Sequence, residues 1–223
     1  ENGRYVVSKG IDEWKDQSYV LWGLSQECLS RTIFPMGQYH KEDIKQMAID
    51  RGYEELATKP ESYEICFIPD NDYRGFLKRK VEGLEEQVKG GNFINTKGEV
   101  IGTHDGYPFY TIGQRKLGVS FGLEASYVIE IKPETNEVVV GSKEDLNKQE
   151  MVVKGLNYIK YDSIPDNFES LTKVRYKHQG EQSSLTNMDN EIKVLFHKKV
   201  EGIAPGQSAV FYEGNDVLGG GFI

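Results

Sequence analysis

Four short stretches in the last third, "MVVKGLNYI", "LTKVRYKH", "EIKVLFHKKV" and "SAVFYEGNDVLGGGFI", recur at regular spacing with turn residues between them. They are rich in β-branched and aromatic residues, and no helical periodicity runs through them. An isolated hairpin is marginal in water, so strands this short must close on one another to be stable. The pattern predicts a small antiparallel β-barrel or sandwich, with its last hairpin turning at Gly214 and Asn215. The boundary in front of it is expected within "SKEDLNKQE", Ser142 to Glu150.

Upstream the character differs. In "DQSYVLWGLSQECLSRTIF" the apolar residues Tyr19, Val20, Leu24, Cys28 and Leu29 recur at helical spacing, with Asp16 as a candidate N-cap. A second helix fits "KEDIKQMAIDRG", with Ile44, Met47 and Ala48 on one face and Gly52 as its stop. A brief helix is expected over Tyr73–Lys80. "NFINTKGEVIGTH" predicts a hairpin turning at Thr96–Gly98, and "SYVIEIKPETNEVVVG" another turning at Pro133–Asn136. Helices first and strands later is unusual for one compact domain. The expected class is therefore α+β in three parts: a helical piece over 1–70, a small β-rich central module over 71–145, and the barrel over 146–223. The helical piece has apolar faces and no sheet of its own to bury them.

Bulk properties narrow the function classes. The 223 residues carry Lys+Arg 27 against Asp+Glu 35, a net charge of −8. This argues mildly against a nucleic-acid binder, although affinity for a phosphate backbone depends on local contacts and not on the global sum. "LKRK" (Leu77–Lys80) and "KVRYKH" (Lys173–His178) are the local basic clusters; taken alone, both read as solvated faces. No apolar run is long enough to span a bilayer, and "ENGRYVVSKG" lacks the apolar core of a signal peptide. Two cysteines, Cys28 and Cys66, make neither a disulfide scaffold nor a metal-ligand spacing, so a reducing, cytoplasmic setting is expected.

The chemistry is sparse. Cys28 falls on the apolar face of the first expected helix, where packing accounts for it. Cys66 sits in "ESYEICFIPDND", between Ile65 and Phe67, with Glu61, Glu64, Asp70 and Asp72 nearby. A nucleophilic cysteine must be a thiolate, and acidic neighbours oppose that, so activation would have to come from residues distant in sequence. Residue chemistry alone favours a structural thiol. His40, His104, His178 and His197 are dispersed and form no metal pattern. A Cys–His hydrolase pairing Cys66 with His104 or His178 has no local support. "YTIGQRKLGVSFG" (Tyr110–Gly122) is glycine-rich and basic at Arg115 and Lys116, but it lacks P-loop spacing and reads as a packed turn.

Seven runs taken together resemble the tRNA-specific 2-thiouridylases, the MnmA family. They are "KDQSY" (Lys15–Tyr19), "FPMG" (Phe34–Gly37), "ICFI" (Ile65–Ile68), "YTIGQRK" (Tyr110–Lys116), "RY" (Arg175, Tyr176), "PGQSAVFY" (Pro205–Tyr212) and "LGGG" (Leu218–Gly221). Each is weak; in register over nearly the whole chain they are highly specific. The resemblance implies the tail of a PP-loop ATP-pyrophosphatase domain, then a central module and a barrel similar to one in translation elongation factors. It implies an enzyme that uses ATP, as its magnesium complex, to adenylate the C2 oxygen of the wobble uridine in tRNA. Persulfide sulfur from a relay of carrier proteins then displaces AMP. Expected acceptors are the lysine, glutamate and glutamine tRNAs. Cys66 falls on the family's persulfide-carrying cysteine. Lys15, Asp16, Gln17, Arg175, Tyr176 and Gln207 fall on its tRNA-contacting positions.

The chain also departs from the family. The PP-loop, the first catalytic cysteine and the ATP-contacting Gly-His pair would all precede "ENGRY". This chain alone is therefore expected neither to bind ATP productively nor to thiolate tRNA. "SYE" before Cys66 and "KLGVSFG" also differ from the family's usual runs. The rival reading is a non-catalytic RNA-binding barrel module.

Overall fold

The computed structural model describes residues 3–60, 67, 68, 70–117 and 125–223. They fall into two compact units, one formed by Glu61–Asn147 and the other by Glu1–Pro60 together with Lys148–Ile223.

In the first of these, the helix Tyr73–Lys80 matches its expected span. Asp72 caps it by accepting from the Gly75 N–H at 2.9 Å, and Lys78, Arg79 and Lys80 lie in its last turn, where the helix dipole favours cations. A shorter helix, Leu84–Val88, follows. Four strands come next: β1 (Gly91–Ile94), β2 (Val100–His104), β3 (Tyr127–Lys132) and β4 (Glu137–Gly141). Both expected hairpins are present, β1–β2 and β3–β4, the second turning through Asn136 at φ 51°. Their joining was not legible in advance. β1 pairs with β4 in parallel, giving the order β2-β1-β4-β3. Phe93, Val128, Val138 and Val140 form the core with Leu84 and Val88 of the short helix.

The other unit is built on six strands: β5 (Asn147–Tyr158), β6 (Phe168–Lys173), β7 (Glu181–Met188), β8 (Glu191–Glu201), β9 (Ser208–Glu213) and β10 (Asp216–Phe222). They close into a barrel in the order β10-β5-β8-β7-β6-β9. Alternation along β8 points Ile192, Val194 and Phe196 inward. β7 was not expected from its polar run "EQSSLTNM". Its Ser183 hydroxyl pairs with Thr172 at 2.7 Å inside the barrel wall, so a hydroxyl pair stands where an apolar pair is usual. The basic run after Thr172 leaves the sheet at Lys173 and forms a turn.

The "SAVFY" run of β9 does not alternate, because both of its faces are covered. Ala209 and Phe211 join the barrel interior, while Val210 and Tyr212 pack outward against Val7, Tyr19, Trp22 and Leu29. The N-terminal segment thus lies along the barrel wall. Val217 N–H donates to Val7 O and Lys9 N–H to Asn215 O, both at 2.8 Å, while Asn157 Nδ2 donates to Trp22 O at 2.6 Å.

Two expectations need correction here. The single helix over the first apolar run is instead a 3-10 turn, Ser18–Leu21, and a short helix, Gln26–Ser30, separated by Gly23 and restarted by Ser25, whose hydroxyl accepts from Cys28 N–H. The apolar spacing serves contact with β9 and β10, not a helix face. Cys28 is an exposed free thiol and not a packed one; its neighbour Leu29 is buried in its place. The helix Lys41–Ile49 stands as expected, ended by Gly52 at φ 79°. No described helix is long and apolar enough to cross a membrane.

Candidate nucleic-acid interface

The KDQSY run is held to the barrel by its own side chains. Asp16 Oδ1 accepts from the backbone N–H groups of Gly10 (3.0 Å) and Ser18 (3.2 Å), and Oδ2 accepts from the Ser18 hydroxyl at 2.8 Å. Ser18 Oγ in turn lies 3.1 Å from the Tyr212 hydroxyl, and both residues are buried. Tyr19 donates its phenol proton to Ser208 O at 2.7 Å, and burial pushes its pKa up to about 12. Lys15 and Gln17, on either side of Asp16, remain exposed.

Two other segments meet this one. The turn after β6 carries Arg175, Tyr176 and Lys177, all exposed, anchored by the fully buried Val174. The Tyr176 ring meets Tyr19 edge-on at 6.3 Å. The Arg175 guanidinium occupies the space beside Gly202, where a Cβ would overlap Nη1. His178 donates its backbone N–H to Arg175 O at 3.0 Å, closing the turn. Burial, reinforced by Arg175 and Lys173 and opposed by Glu181, lowers the His178 pKa. Gln207 is exposed in the turn before β9, its carbonyl accepting from Ile223 N–H at 2.8 Å, and it directly precedes the Ser208 that Tyr19 binds. Lys15, Asp16, Gln17, Arg175, Tyr176 and Gln207, far apart in the chain, therefore gather around Tyr19.

Lys9 and Lys173 flank the same point. Their ammonium groups lie 4.6 and 5.6 Å from the centroid of the buried Tyr212 ring. Burial, then repulsion from Lys173, lowers the Lys9 pKa, with Asp16 and Glu13 opposing. Exposed cations and a half-exposed tyrosine on a rigid barrel wall suit phosphate pairing and base or ribose stacking.

Sequence comparisons bear on the same chain. Models of three consecutive families match it: the tRNA methyl transferase HUP domain over residues 1–70, the tRNA methyl transferase PRC-barrel domain over 75–142, and the aminomethyltransferase beta-barrel domain over 148–223. The tRNA-specific 2-thiouridylase MnmA of Cytophaga hutchinsonii is 57% identical over 100% of this chain and 61% of its own length. Those of Amoebophilus asiaticus and Salinibacter ruber are 56% and 50% identical, again over all of this chain and over 60% and 58% of their own lengths. The chain belongs to the tRNA-specific 2-thiouridylase family. It spans about three-fifths of the length of these relatives.

Cys66, which the 2-thiouridylase resemblance singles out, lies outside the described residues, as do Glu61 and Glu64. Of its neighbours in sequence, the described acidic ones are engaged. Asp70 pairs with Arg79 at 3.3 Å, and Asp72 is engaged as the helix cap. Ile68 is buried, and the exposed Phe67 packs on Phe76 with centroids 5.5 Å apart. "LKRK" is a solvated face engaged in pairs, Lys78 with Glu85 at 2.6 Å and Arg79 with Asp70.

His104 is a packed residue. Its Nδ1 accepts from Gly106 N–H at 3.0 Å, its ring lies 4.9 Å from Phe93 and 5.2 Å from Tyr110, and burial lowers its pKa. In the described part of the glycine-bearing run, Gly113 N–H is engaged with Val128 O at 2.8 Å and Gln114 N–H with Thr111 O, so neither amide is free for a phosphate. Among the described residues, no group of three His, Cys, Asp or Glu could hold a metal. Sequence reasoning missed Lys9 and Tyr212. Tyr212 ends the quoted "PGQSAVFY" run, whereas nothing in the sequence around Lys9 marks it.

Proposed function

We propose that this chain is the tRNA-gripping and sulfur-carrying part of a tRNA 2-thiouridylase acting on the wobble uridine. The observation that carries the reading is the gathering around Tyr19 of three separate segments, each holding residues that match the family's tRNA-contacting positions. Lys15 and Arg175 pair with phosphate, Tyr176 stacks on a base or ribose, and Gln17 and Gln207 donate hydrogen bonds. Asp16 acts by ordering the backbone that presents Lys15 and Gln17. An acidic protein binds tRNA through such a patch, with its negative surface elsewhere.

A urea-like carbonyl is a poor electrophile, so adenylation of the C2 oxygen supplies a leaving group. ATP and that step belong to the part of the family's length beyond this chain. Cys66 carries the persulfide, loaded by a relay protein. Its terminal sulfur bonds to C2 as the bond from C2 to the AMP oxygen breaks. Electron balance then requires a second thiol to attack the Cys66 sulfur, which leaves the thiocarbonyl and a protein disulfide. In this reading residues 1–70 end a PP-loop adenylation domain, 71–145 form the central module, and 146–223 form a barrel of the elongation-factor kind. The setting is cytoplasmic, and the substrates are the lysine, glutamate and glutamine tRNAs.

The test uses the full-length protein with and without Cys66→Ser, given ATP, a sulfur donor and unmodified tRNA, with 2-thiouridine read by nucleoside mass spectrometry. Product from the native protein and none from the variant is expected. Equal product from both would return Cys66 to a packing role. Tight tRNA binding with no product from either would favour a binding module.

A further inference from the structure

We propose that Lys9 and Lys173 form a two-cation seat for one phosphodiester group of the bound RNA, with the buried Tyr212 ring as its floor. This rests on the tRNA reading above and extends it to two residues which that reading does not use. Several lysines of this unit pair with carboxylates, Lys160 with Glu213 and Asp216, Lys154 with Glu191, and Lys193 with Glu150; what sets Lys9 and Lys173 apart is that both ammonium groups lie against the same buried ring. Among the described residues, neither Lys9 nor Lys173 forms an ion pair, although both are half-buried and close enough to repel. Asp16 and Glu13 lie near enough to oppose the lowering of the Lys9 pKa, but among the described residues neither forms an ion pair with Lys9, and the Asp16 oxygens accept instead from Gly10 and Ser18. Two ammonium groups set against one ring, with nearby carboxylates that offset their repulsion only in part, leave local repulsion that an oxyanion between them would relieve. The ring beneath them fixes their approach through its π face.

The position fits an RNA backbone. Lys173 is two residues before Arg175 and three before Tyr176, and Lys9 enters the loop that Asp16 ties together. A strand stacked on Tyr176 and paired with Arg175 would carry its next phosphate over Tyr212. The seat therefore continues the interface and is not a separate pocket.

The test measures tRNA affinity of the full-length protein against salt concentration for the native form, Lys9→Gln/Lys173→Gln and Lys9→Arg/Lys173→Arg, with thermal unfolding as the folding control. Loss of one phosphate contact shared by two cations should lower affinity about tenfold at moderate salt and reduce the magnitude of the log–log salt slope by about 1. The arginine variant should restore both. Unchanged affinity and slope in a folded glutamine variant would overturn the seat and leave the tRNA reading standing. Absence of tRNA binding by the native protein would overturn both. Displacement of tRNA by millimolar inorganic phosphate at fixed ionic strength, in the native protein and not in the glutamine variant, would mark a free-phosphate site and overturn the RNA assignment.

Discussion

Ser18 Oγ lies 3.1 Å from the hydroxyl of Tyr212, joining a loop near one end of the chain to the outward face of β9 in a setting closed to water. Near that contact, three segments far apart in the chain meet around Tyr19. Ser18 also donates to Asp16, so the three residues form a short chain from the barrel wall to the exposed Lys15 and Gln17.

Tyr212→Phe should cost about 1 kcal/mol, because Ser18 keeps Asp16 as a partner. Ser18→Ala should cost more, about 2 kcal/mol, since it strands the buried Tyr212 hydroxyl and one Asp16 oxygen. A double-mutant cycle by chemical denaturation should give a coupling of about 1 kcal/mol. Strict additivity would mean that the contact carries no energy.

Tyr176→Ala should weaken tRNA binding about tenfold with little effect on stability, since base stacking on an aromatic side chain is worth roughly 1–3 kcal/mol. Tyr176→Phe should retain most of the affinity, because the ring does the stacking. Filter binding or fluorescence anisotropy reads both; equal losses in the two variants would assign the role to the hydroxyl.

Lys160 is nearly enclosed, with its side chain 12% exposed, and it bonds Glu213 at 2.6 Å and Asp216 at 2.7 Å. Its carboxylate partners raise the Lys160 pKa. The hydrogen bond from Lys160 lowers Glu213; burial alone would raise Asp216, but hydrogen bonds from Lys160 and Ser8 outweigh it. Depressed carboxylates stabilise the fold above their unfolded values near 4, and the contribution is lost as pH falls through their folded values. The raised lysine adds stability below its ordinary 10.5, lost only as pH rises through its folded value. Lys160→Met should cost about 2 kcal/mol at neutral pH, discounted for the partly exposed carboxylates, and flatten the acid limb of the stability profile. An unchanged acid limb in denaturation midpoints measured against pH would refute the assignment.

Gly220 lets two backbones and an indole meet. A Cβ there would lie 2.6 Å from Ala209 O and 3.0 Å from the Trp22 ring. Gly220→Ala should destabilise by about 2–3 kcal/mol, as overpacking of a rigid contact does. Because the clash is partly with Trp22, Trp22→Ala added to it should be less than additive, measured by thermal unfolding.

Local chemistry carried much of this fold. The helix Tyr73–Lys80, with Asp72 before it and three cations in its last turn, was legible because a cap and a dipole act over a few residues. The two hairpins of the smaller sheet were legible for the same reason, since each turn lies between the strands it joins. The seven short runs were sufficient to identify the family and to single out Cys66, which lies outside the described residues.

Tertiary structure decided the rest. The parallel joining of β1 to β4, the use of β7 as a barrel strand, and the exposure of Cys28 in place of Leu29 all depend on surfaces distant in sequence. The same holds at the interface. "KVRYKH" alone is a solvated basic run, and Lys9 alone is unremarkable; only closure of the barrel, with the N-terminal segment laid against β9, sets Lys9 and Lys173 over one tyrosine ring. Periodicity reports which residues seek burial, whereas the partner that buries them is set by the sum of long-range contacts, which no local window contains.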